Sequence, residues 1–391
     1  MWVERQAGPG FRQLDALYKI VAVIGPRQAG KTTFLREQMA KGRDVSYVSL
    51  DDPSAKSLFD GDVKRFEQQY LAKDRPTIID EVQYGKEAGI KLKYLADAGY
   101  KLWVSASSQA LLEASVLSHL TGRVGILTLP NFSLGEFLSA KGQKAFVADI
   151  LRRHVWEHAV YGGYPAVVLA ESPEAKKTLL KNLFTTALLK DTFMAFGIND
   201  QEKLERLAKY LAANIGTEIN YGAISKKLGI STPTLQKYMD ALEKSYLITR
   251  VRPYFTNKGL ELAKQPKLYF NDTGMRNAIM DAFPNELENE GKMFENYVLN
   301  EIRKAGFTPN YWKSKSKAEV DFVVQKEGRL IPIEVKTFAA GKIERSLRSF
   351  IEKYKPKKAL VVAYEGEKVK TVLNGCEISV ITADEIPAQL D

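Results

Sequence analysis

The chain has 391 residues, of which 45% are hydrophobic and 27% are charged, a composition typical of a globular protein. This length exceeds what one hydrophobic core usually serves, so it predicts two or three domains. Because Cys376 is the single cysteine of the sequence, an internal disulfide is excluded. The sequence has three histidines in addition, and these with one cysteine cannot form a structural zinc cluster of the usual kind. No apolar run is long enough for a membrane span and no export signal is visible, so we expect a cytoplasmic protein without a membrane partner.

The formal net charge is +10, and most of this excess lies in the middle of the chain. Residues 141–284 hold 21 basic and 14 acidic side chains. A basic excess that is concentrated in one segment is a candidate nucleic-acid footprint, although a modest excess can simply serve solubility.

An apolar run, 20–24, which predicts the first strand, leads into the sequence GPRQAGKT, which fits the pattern GxxxxGK[ST]. Gly25 and Gly30 allow the backbone N–H groups to face phosphate oxygens, and a helix that begins near Lys31 directs its positive dipole end at the same anion. We expect Lys31 to lie against the β and γ phosphates of ATP, and the Thr32 hydroxyl to bind Mg²⁺. A glycine turn with a chance lysine is the alternative, but the strand before the loop and the predicted helix after it favour nucleotide binding. The predicted ATP contacts are Gly25, Pro26, Arg27, Gln28, Ala29, Gly30, Lys31, Thr32 and Thr33.

A second short apolar run, 76–79, ends in two carboxylates, Asp80 and Glu81. This pattern is called Walker B, and in it Asp80 would hold Mg²⁺ through water while Glu81 would act as the base that polarises the attacking water. An isolated pair of this kind would more simply be two solvated acids at the end of a surface strand. Downstream of a phosphate-binding loop, the pair predicts the second half of an ATP site.

Residues 1–140 alternate between predicted strands and helices, which indicates a parallel sheet with its ligand at the carboxyl edge. The five predicted strands are 19–24, 44–50, 76–79, 101–105 and 124–129. Ser105, Ser107 and Ser108 follow the fourth strand, where a hydroxyl could sense the γ-phosphate, although a serine-rich loop is an equal alternative. Arg123 is a candidate arginine finger, acting in cis or on a neighbouring subunit, or else a surface charge.

Residues 141–205 are predicted to be helical, with an interruption at the sequence YGGYP of residues 161–165. Both the position and the composition are those of a helical lid on a nucleotide domain. We expect its aromatic residues to lie in the core.

Residues 206–284 have a helix-turn-helix pattern. A short helix, 221–228, is ended by Gly229, then Ser231 or Thr232 can cap a second helix whose first turn holds Pro233. The expected buried stripe of this helix is Leu235, Met239 and Leu242, and the expected groove or phosphate contacts are Thr234, Gln236, Lys237 and Lys244. Two strand-like stretches, 247–254 and 267–271, would form a wing carrying Arg250, Arg252 and Lys258. Winged helices bind DNA or serve as protein contact modules, and the pattern leaves both open.

The last hundred or so residues contain a second candidate site on two strands, 319–324 and 330–336. The period of two places Glu334 and Lys336 on one face, and it likewise places Glu319 and Asp321 together. Asp321 and Glu334 could bind Mg²⁺ or Mn²⁺, and Lys336 could orient a water against phosphate.

Glu295, on a predicted helix over 291–304, could complete this second site as an auxiliary acid. The alternative is an edge hairpin with salt bridges. The spacing of the carboxylates and the upstream glutamate favour a nuclease-like core.

The series of motifs resembles the large prokaryotic family of AAA-type P-loop ATPases that open with GPRQxGKTT, continue through an IDE(V/I)Q Walker B and end in a domain of unknown function related to the PD-(D/E)XK nucleases. The matching segments are GPRQAGKTT at 25–33, IDEVQ at 79–83, SASSQ at 105–109, TGR at 121–123, YGGYP at 161–165 and YFNDTG at 269–274, followed by AEVDFVV and IPIEVK. One departure is Ala106, where the family commonly has a glycine.

The motifs and the resemblance together imply a multidomain α/β protein. The expected parts are a P-loop AAA-type parallel-sheet ATPase domain (1–140), a helical lid (141–205), a winged helix (206–284) and an α/β nuclease-like domain (285–391). Two functions are consistent with this layout. One is an ATP-driven, DNA-directed enzyme with a metal-dependent nuclease domain, and the other is a regulatory ATPase switch that only binds DNA or a protein. The sequence leaves the choice between a monomer and a homo-oligomer open.

Overall fold

The first part of the computed structural model is a parallel five-stranded sheet. Its strands are β1 (Ile20–Ile24), β2 (Ser46–Ser49), β3 (Thr77–Asp80), β4 (Leu102–Ala106) and β5 (Val124–Thr128). They are hydrogen-bonded in the order β2-β3-β4-β1-β5, and every neighbouring pair is parallel. The five predicted strands and the parallel sheet are therefore confirmed. The structure describes residues 2–107, 119–142, 147–186, 192, 196–198, 200–257, 259, 261, 264–339 and 343–391.

Helices cover both faces of this sheet. They are α1 (Gly8–Leu17), α2 (Lys31–Thr33, continued by a π-helix over Phe34–Met39), α3 (Pro53–Gly61), α4 (Val63–Tyr70) and α5 (Ala88–Asp97). One hydrophobic cluster packs around Phe59 and Phe66, and a second packs around Phe11, Phe34 and Trp103. Because both of its faces are buried, β1 is a continuous apolar run without alternation.

The middle of the chain is helical and ends in a two-stranded ribbon. The helices are α6 (Leu134–Ala140), α7 (Ala148–Tyr161), α8 (Pro165–Val168), α9 (Pro173–Thr186), α10 (Gln201–Ala213), α11 (Tyr221–Leu228), α12 (Thr232–Lys244) and α13 (Thr273–Met280). The antiparallel ribbon is β6 (Ile248–Val251) with β7 (Lys267–Phe270). The boundary predicted after residue 205 is wrong, because it falls inside α10, whose Leu204 and Leu207 are buried in the same cluster.

The turn between α11 and α12 is built as the sequence predicts. Gly229 ends α11 with φ +65°, and the Ser231 hydroxyl caps α12 by accepting from the Thr234 N–H at 3.3 Å. The expected buried stripe of α12 is fully buried: Leu235, Met239 and Leu242.

The last part of the chain is a six-stranded mixed sheet. Its elements are α14 (Gly291–Lys304), β8 (Asn310–Lys313), β9 (Glu319–Lys326), β10 (Arg329–Ala339), α15 (Arg345–Tyr354), β11 (Lys358–Gly366), β12 (Lys370–Leu373), β13 (Cys376–Ile381) and α16 (Ile386–Leu390). The order is β12-β13-β11-β10-β9-β8, with parallel pairs between β10, β11 and β13 and antiparallel pairs elsewhere.

One hydrophobic cluster runs from Phe132 through the middle helices to Ile386 in α16. The helical region, the ribbon and the C-terminal sheet therefore share a core, whereas the first sheet has cores of its own. None of the described helices is both long and apolar enough to cross a membrane.

Candidate nucleotide and carboxylate sites

The loop after β1 is shaped by two glycines with positive φ. Gly25 has φ +153°, and a Cβ atom built on it would lie 2.2 Å from the Leu129 carbonyl oxygen, so only glycine fits. Gly30 has φ +87° at the start of α2. The Lys31 side chain is buried and folds back over the loop, where its Nζ donates to the carbonyl oxygens of Gly25 at 3.1 Å and Pro26 at 2.9 Å. Its ammonium group therefore lies in the concavity of the loop, as a phosphate-binding lysine requires.

Asp80 is the centre of a polar cluster at the carboxyl ends of the strands. Its Oδ2 accepts hydrogen bonds from the Thr32 hydroxyl at 2.8 Å and from the Tyr47 hydroxyl at 3.1 Å. Its Oδ1 accepts from the Ser105 hydroxyl. Burial and the neighbouring Asp80 carboxylate raise the pKa of Tyr47. A hydroxyl and a carboxylate in contact are a donor set that suits Mg²⁺, so Thr32 and Asp80 fit the predicted metal role.

Glu81 is held by two side chains beside this cluster. Its Oε2 accepts from the Ser107 hydroxyl at 3.0 Å and from the Gln83 amide, and its backbone N–H donates to Ser105 Oγ at 3.0 Å. Ser105 and Ser107 thus contact Asp80 at the end of β3 and Glu81 directly after it, while Ser108 lies outside the described residues. The sequence analysis assigned no role to Gln83, although its position at the end of the IDEVQ segment could have indicated a role beside Glu81.

Arg123 lies on the wrong side of the sheet for a finger in cis. Because β1 and β5 are parallel with Ile20 opposite Val124, Arg123 is at the amino edge, and the phosphate loop is at the carboxyl edge. Its Nε is 2.9 Å from Asp97 Oδ1, and both side chains are substantially exposed. The cis alternative is therefore wrong, whereas an action on a neighbouring subunit and a plain surface charge both stay open.

Arg5 supports the phosphate loop from outside the motif, a role that a lone arginine in the sequence does not reveal. Its guanidinium donates to the carbonyl oxygens of Ala29 at 2.8 Å and Pro130 at 2.5 Å. Its Nε is 3.1 Å from a carboxylate oxygen of Glu136, and both side chains are buried. Arg27, a predicted ATP contact, donates to the Tyr84 hydroxyl at 2.7 Å.

The segment that follows β5 connects the phosphate loop to the rest of the chain. The Phe132 carbonyl oxygen accepts from Lys304 Nζ at 2.8 Å, and the Leu134 N–H donates to buried Glu301 at 2.8 Å. His158 lies 3.1 Å from the same carbonyl oxygen, and burial together with Lys304 holds its pKa well below the usual range. Helix α14 is thereby tied directly to the exit of the first sheet.

Two motifs of the family resemblance, YGGYP and YFNDTG, meet at Asp272. This residue caps α13 through Met275 N–H at 2.9 Å and accepts from Gly163 N–H at 2.8 Å. A Cβ atom on Gly162 would lie 1.9 Å from Asp272 Oδ1, and one on Gly274 would lie 2.1 Å from the Tyr161 carbonyl oxygen. The glycines are explained by this close contact, so both motifs have a structural role here.

Asp321 and Glu334 face each other across β9 and β10. The antiparallel pairing sets Phe322 opposite Ile333, which brings the two carboxylates to one face. Asp321 accepts from the Val335 N–H at 2.8 Å, and Glu334 Oε1 accepts from Lys336 Nζ at 3.1 Å. Glu334 Oε2 is buried and has no hydrogen-bond partner among the residues that the structure describes.

Both carboxyl groups resist ionisation. Burial and the charges of Glu295 and Glu334 raise the pKa of Asp321. Burial, with Glu344 and Glu295, also raises the pKa of Glu334, although Lys336 opposes this shift. A cation between the two carboxylates would relieve both the repulsion and the unpartnered oxygen, so the pair fits a divalent metal.

Glu295 lies near this pair but is already engaged by other groups. It accepts from the Tyr269 hydroxyl at 2.6 Å and from Lys292 Nζ at 2.6 Å, and Lys267 Nζ is 3.7 Å away. Burial and the Glu295 carboxylate raise the pKa of Tyr269 well above its usual value. Across the described ranges, no group of three or more His, Cys, Asp or Glu side chains is placed to hold a metal ion. The site is therefore a two-carboxylate arrangement.

The basic residues predicted for nucleic-acid contact differ in their availability. Lys237 and Gln236 are exposed, and Lys237 Nζ donates to the Gly197 carbonyl oxygen at 3.0 Å, while Thr234 and Lys244 are half-buried. Arg250 lies on the ribbon as predicted, on β6, and its guanidinium pairs with Asp240 at 2.7 Å and with Glu243, so these carboxylates compete with phosphate for it. Lys258 lies outside the described residues.

Three family models match successive parts of the chain. Residues 17–138 match an AAA domain, residues 152–286 match the domain of unknown function DUF8612, and residues 290–384 match the domain of unknown function DUF4143. An uncharacterized protein of Haemophilus influenzae is 25% identical over 334 residues, which is 81% of this chain and 82% of that protein. An uncharacterized protein of Mycobacterium tuberculosis is 26% identical over 381 residues, which is 94% of this chain and 81% of that protein.

Solved structures resemble the chain more distantly. A Walker-type ATPase of Pyrococcus abyssi has 14% identity and a TM-score of 0.47, with 71% of this chain and 96% of that chain covered. The ORC2 protein of Aeropyrum pernix has 12% identity and a TM-score of 0.40, with 71% and 93% covered. The family match and the geometry of the phosphate loop agree: residues 17–138 match an AAA domain, and they contain the phosphate loop together with Asp80 and Glu81.

Proposed function

We propose that this protein is a Mg²⁺-dependent ATPase. The observation that carries the proposal is the arrangement around the loop, in which Lys31 lies in the concavity and Thr32 contacts Asp80. Bound Mg²⁺ would neutralise charge on the β and γ phosphates. The residues that would hold it are Thr32 and Asp80, directly or through water.

The chain supplies the remaining parts of the reaction from its own side chains. Lys31 can leave its two loop carbonyls and bind phosphate oxygens, because those contacts are neutral and phosphate is anionic. Glu81 is positioned by Ser107 and Gln83, so its carboxylate can orient the attacking water. The test is phosphate release from ATP by the full chain with and without Mg²⁺. The proposal fails if purified protein neither binds nor hydrolyses ATP with the metal present.

We further propose that the ATPase acts on DNA, with a nuclease activity in the C-terminal domain. Two features support this proposal. The middle of the chain holds the basic excess together with a helix-turn-helix and ribbon, and the C-terminal sheet pairs Asp321 with Glu334 beside Lys336. Phosphodiester cleavage needs a cation at the scissile phosphate and an activated water. Asp321 and Glu334 would hold the cation, and Lys336 would orient the water.

The second candidate is a regulatory ATPase switch that binds DNA or a partner protein without cutting. It is favoured by the ion pairs of Arg250 and by the finding that, within the described residues, no third His, Cys, Asp or Glu side chain joins Asp321 and Glu334 in a group placed to hold a metal ion. One assay separates the candidates: incubation with single-stranded, duplex and junction DNA, with Mg²⁺ or Mn²⁺, with and without ATP. Cleavage that depends on Asp321 supports the nuclease, and the absence of cleavage of every DNA form supports the switch.

A further inference from the structure

A buried lysine of the ribbon lies beside the carboxylate pair of the C-terminal sheet. Lys267 is the first residue of β7, and it is 2% exposed. Its backbone is held on both sides, because it pairs with Val251 of β6 and forms an isolated bridge with Glu218. The ribbon therefore fixes the point from which the Lys267 side chain extends.

The ammonium group of Lys267 contacts carboxylates of the C-terminal sheet and of helix α14. Its Nζ donates to Glu319 Oε1 at 2.5 Å and lies 3.7 Å from Glu295 Oε1. Tyr269, two residues further along β7, donates to the same oxygen of Glu295 at 2.6 Å. Burying an ammonium group without a countercharge is costly, so Glu319 and Glu295 stabilise Lys267 in this position.

The same two carboxylates border the candidate metal site. Glu319 and Asp321 are alternate residues of β9, so their side chains lie on one face of the sheet. Burial and the charge of Glu295 raise the pKa of Asp321, which is consistent with a short distance between these two carboxylates. In a site with two divalent cations, carboxylates of this kind hold the second ion about 3.5–4 Å from the first. Here the positive charge next to Glu295 and Glu319 is the ammonium group of Lys267.

We propose that Lys267 is a built-in countercharge that limits the C-terminal site to one divalent cation. Its ammonium group is a compact point charge that neutralises the carboxylates to which a second ion would otherwise bind. Asp321 and Glu334 then hold the single ion. The inference rests on the proposed metal site, and it adds to that site a residue from the part of the chain that matches DUF8612 rather than DUF4143.

The test counts the Mn²⁺ ions that bind to the full chain without nucleotide, from the loss of the electron paramagnetic resonance signal of free Mn²⁺. We expect Asp321→Asn to remove one bound ion from the unmodified chain, whereas a second ion that shared the Asp321 carboxylate would be lost as well. Lys267→Met removes the charge and keeps an unbranched side chain. We expect this variant to bind one Mn²⁺ more than the unmodified chain, because Glu295 and Glu319 are then without their countercharge.

Two further variants separate this role from a structural one. Glu319→Gln in the Lys267→Met chain should remove the additional ion, because an amide replaces the carboxylate that holds it. Lys313→Met is the matched control, since Lys313 Nζ also lies near Glu319, at 3.8 Å, but its side chain is substantially exposed. This control should bind as many ions as the unmodified chain. A purely structural role of Lys267 would change stability and leave the number of bound ions the same.

A loss of two ions in Asp321→Asn, or an unchanged count in folded Lys267→Met, would overturn the inference and leave metal binding by the C-terminal site intact. The first count needs no change at Lys267, so it decides the inference even if Lys267→Met does not fold. If Asp321→Asn removes no bound ion, the proposed metal site itself is overturned, and the inference with it.

Discussion

The Thr32 hydroxyl donates a hydrogen bond to the Asp80 carboxylate at 2.8 Å, and so joins the start of α2 to the end of β3. This contact brings the two candidate Mg²⁺ ligands together. We expect Lys31→Ala to abolish nucleotide binding and Glu81→Gln to retain binding but to reduce hydrolysis about 10²- to 10⁴-fold, because the first removes the phosphate contact and the second removes the base. Fluorescent-nucleotide binding and phosphate release measure the two effects. Undiminished hydrolysis by Lys31→Ala would contradict the assignment.

The DNA proposal predicts a change in salt dependence. Lys237→Glu combined with Lys244→Glu should weaken DNA binding and flatten the slope of log affinity against log salt, because fewer counterions are released. The control pair is Lys64→Glu with Lys93→Glu, which makes the same change in charge at exposed positions of the ATPase domain. Fluorescence anisotropy at several salt concentrations measures the slope. Equal slopes for both pairs would mean that the helix-turn-helix does not contact DNA.

The C-terminal site predicts that Asp321→Ala and Lys336→Ala each abolish Mn²⁺-dependent DNA cleavage. The reason is that the first removes a metal ligand and the second removes the group that orients water. Glu352→Gln removes an exposed carboxylate from helix α15 and should cut as the unmodified chain does. Gel analysis of a labelled junction measures the products. Cutting that survives both alanine variants would place the chemistry elsewhere.

The raised pKa of Asp321 predicts how stability changes with pH. A carboxyl whose pKa is raised by folding binds its proton more tightly in the folded protein than in the unfolded chain. Its contribution to the free energy of unfolding is therefore fully present below the unfolded pKa of about 4, and it is lost as the pH rises through the folded pKa. With EDTA, the melting temperature of the unmodified protein should therefore fall relative to Asp321→Asn between about pH 5 and pH 8. Added Mn²⁺ should restore stability to the unmodified protein only. If the melting temperatures of the two proteins change with pH by the same amount, the repulsion between Asp321 and Glu334 is contradicted.

The close contact between Gly162 and Asp272 predicts that a substitution at Gly162 lowers the stability of the fold without removing a group from either candidate site. Gly162→Ala should reduce the free energy of unfolding by roughly 2 kcal/mol or more, because the new Cβ would overlap a carboxylate oxygen and φ is +75°. Gly229→Ala is the control: φ is +65° there, but beyond the adjacent backbone an added Cβ would meet no described atom within 4 Å, so only about 1 kcal/mol of backbone strain is expected. Urea unfolding measures both. Equal losses of free energy of unfolding in the two variants would show that the contact between Gly162 and Asp272 tolerates a methyl group.

The sequence predicted the parallel sheet and the polar side chains at its edge because each depends on local pattern. A buried strand such as Ile20–Ile24 is apolar throughout. In GPRQAGKT, the spacing of the two glycines, the lysine and the threonine is typical of phosphate-binding loops and uncommon elsewhere. Sequence alone could not predict the partners of Arg123 or Arg250. Asp97 becomes a neighbour of Arg123 only when α5 packs on the sheet, and Glu243 becomes a neighbour of Arg250 only when the chain turns back from α12 into β6. The boundary at residue 205 failed for a related reason, since a shared core removes the change in composition that marks a linker.

The close approach of Gly25 to the Leu129 carbonyl oxygen packs the phosphate loop against the segment that follows β5. Phe132 and Leu134 of that segment are in turn hydrogen-bonded to helix α14. The same helix carries Glu295 against the C-terminal carboxylates. Helix α14 therefore contacts the exit of the first sheet near its C-terminal end and the acidic pair of the C-terminal sheet near its N-terminal end.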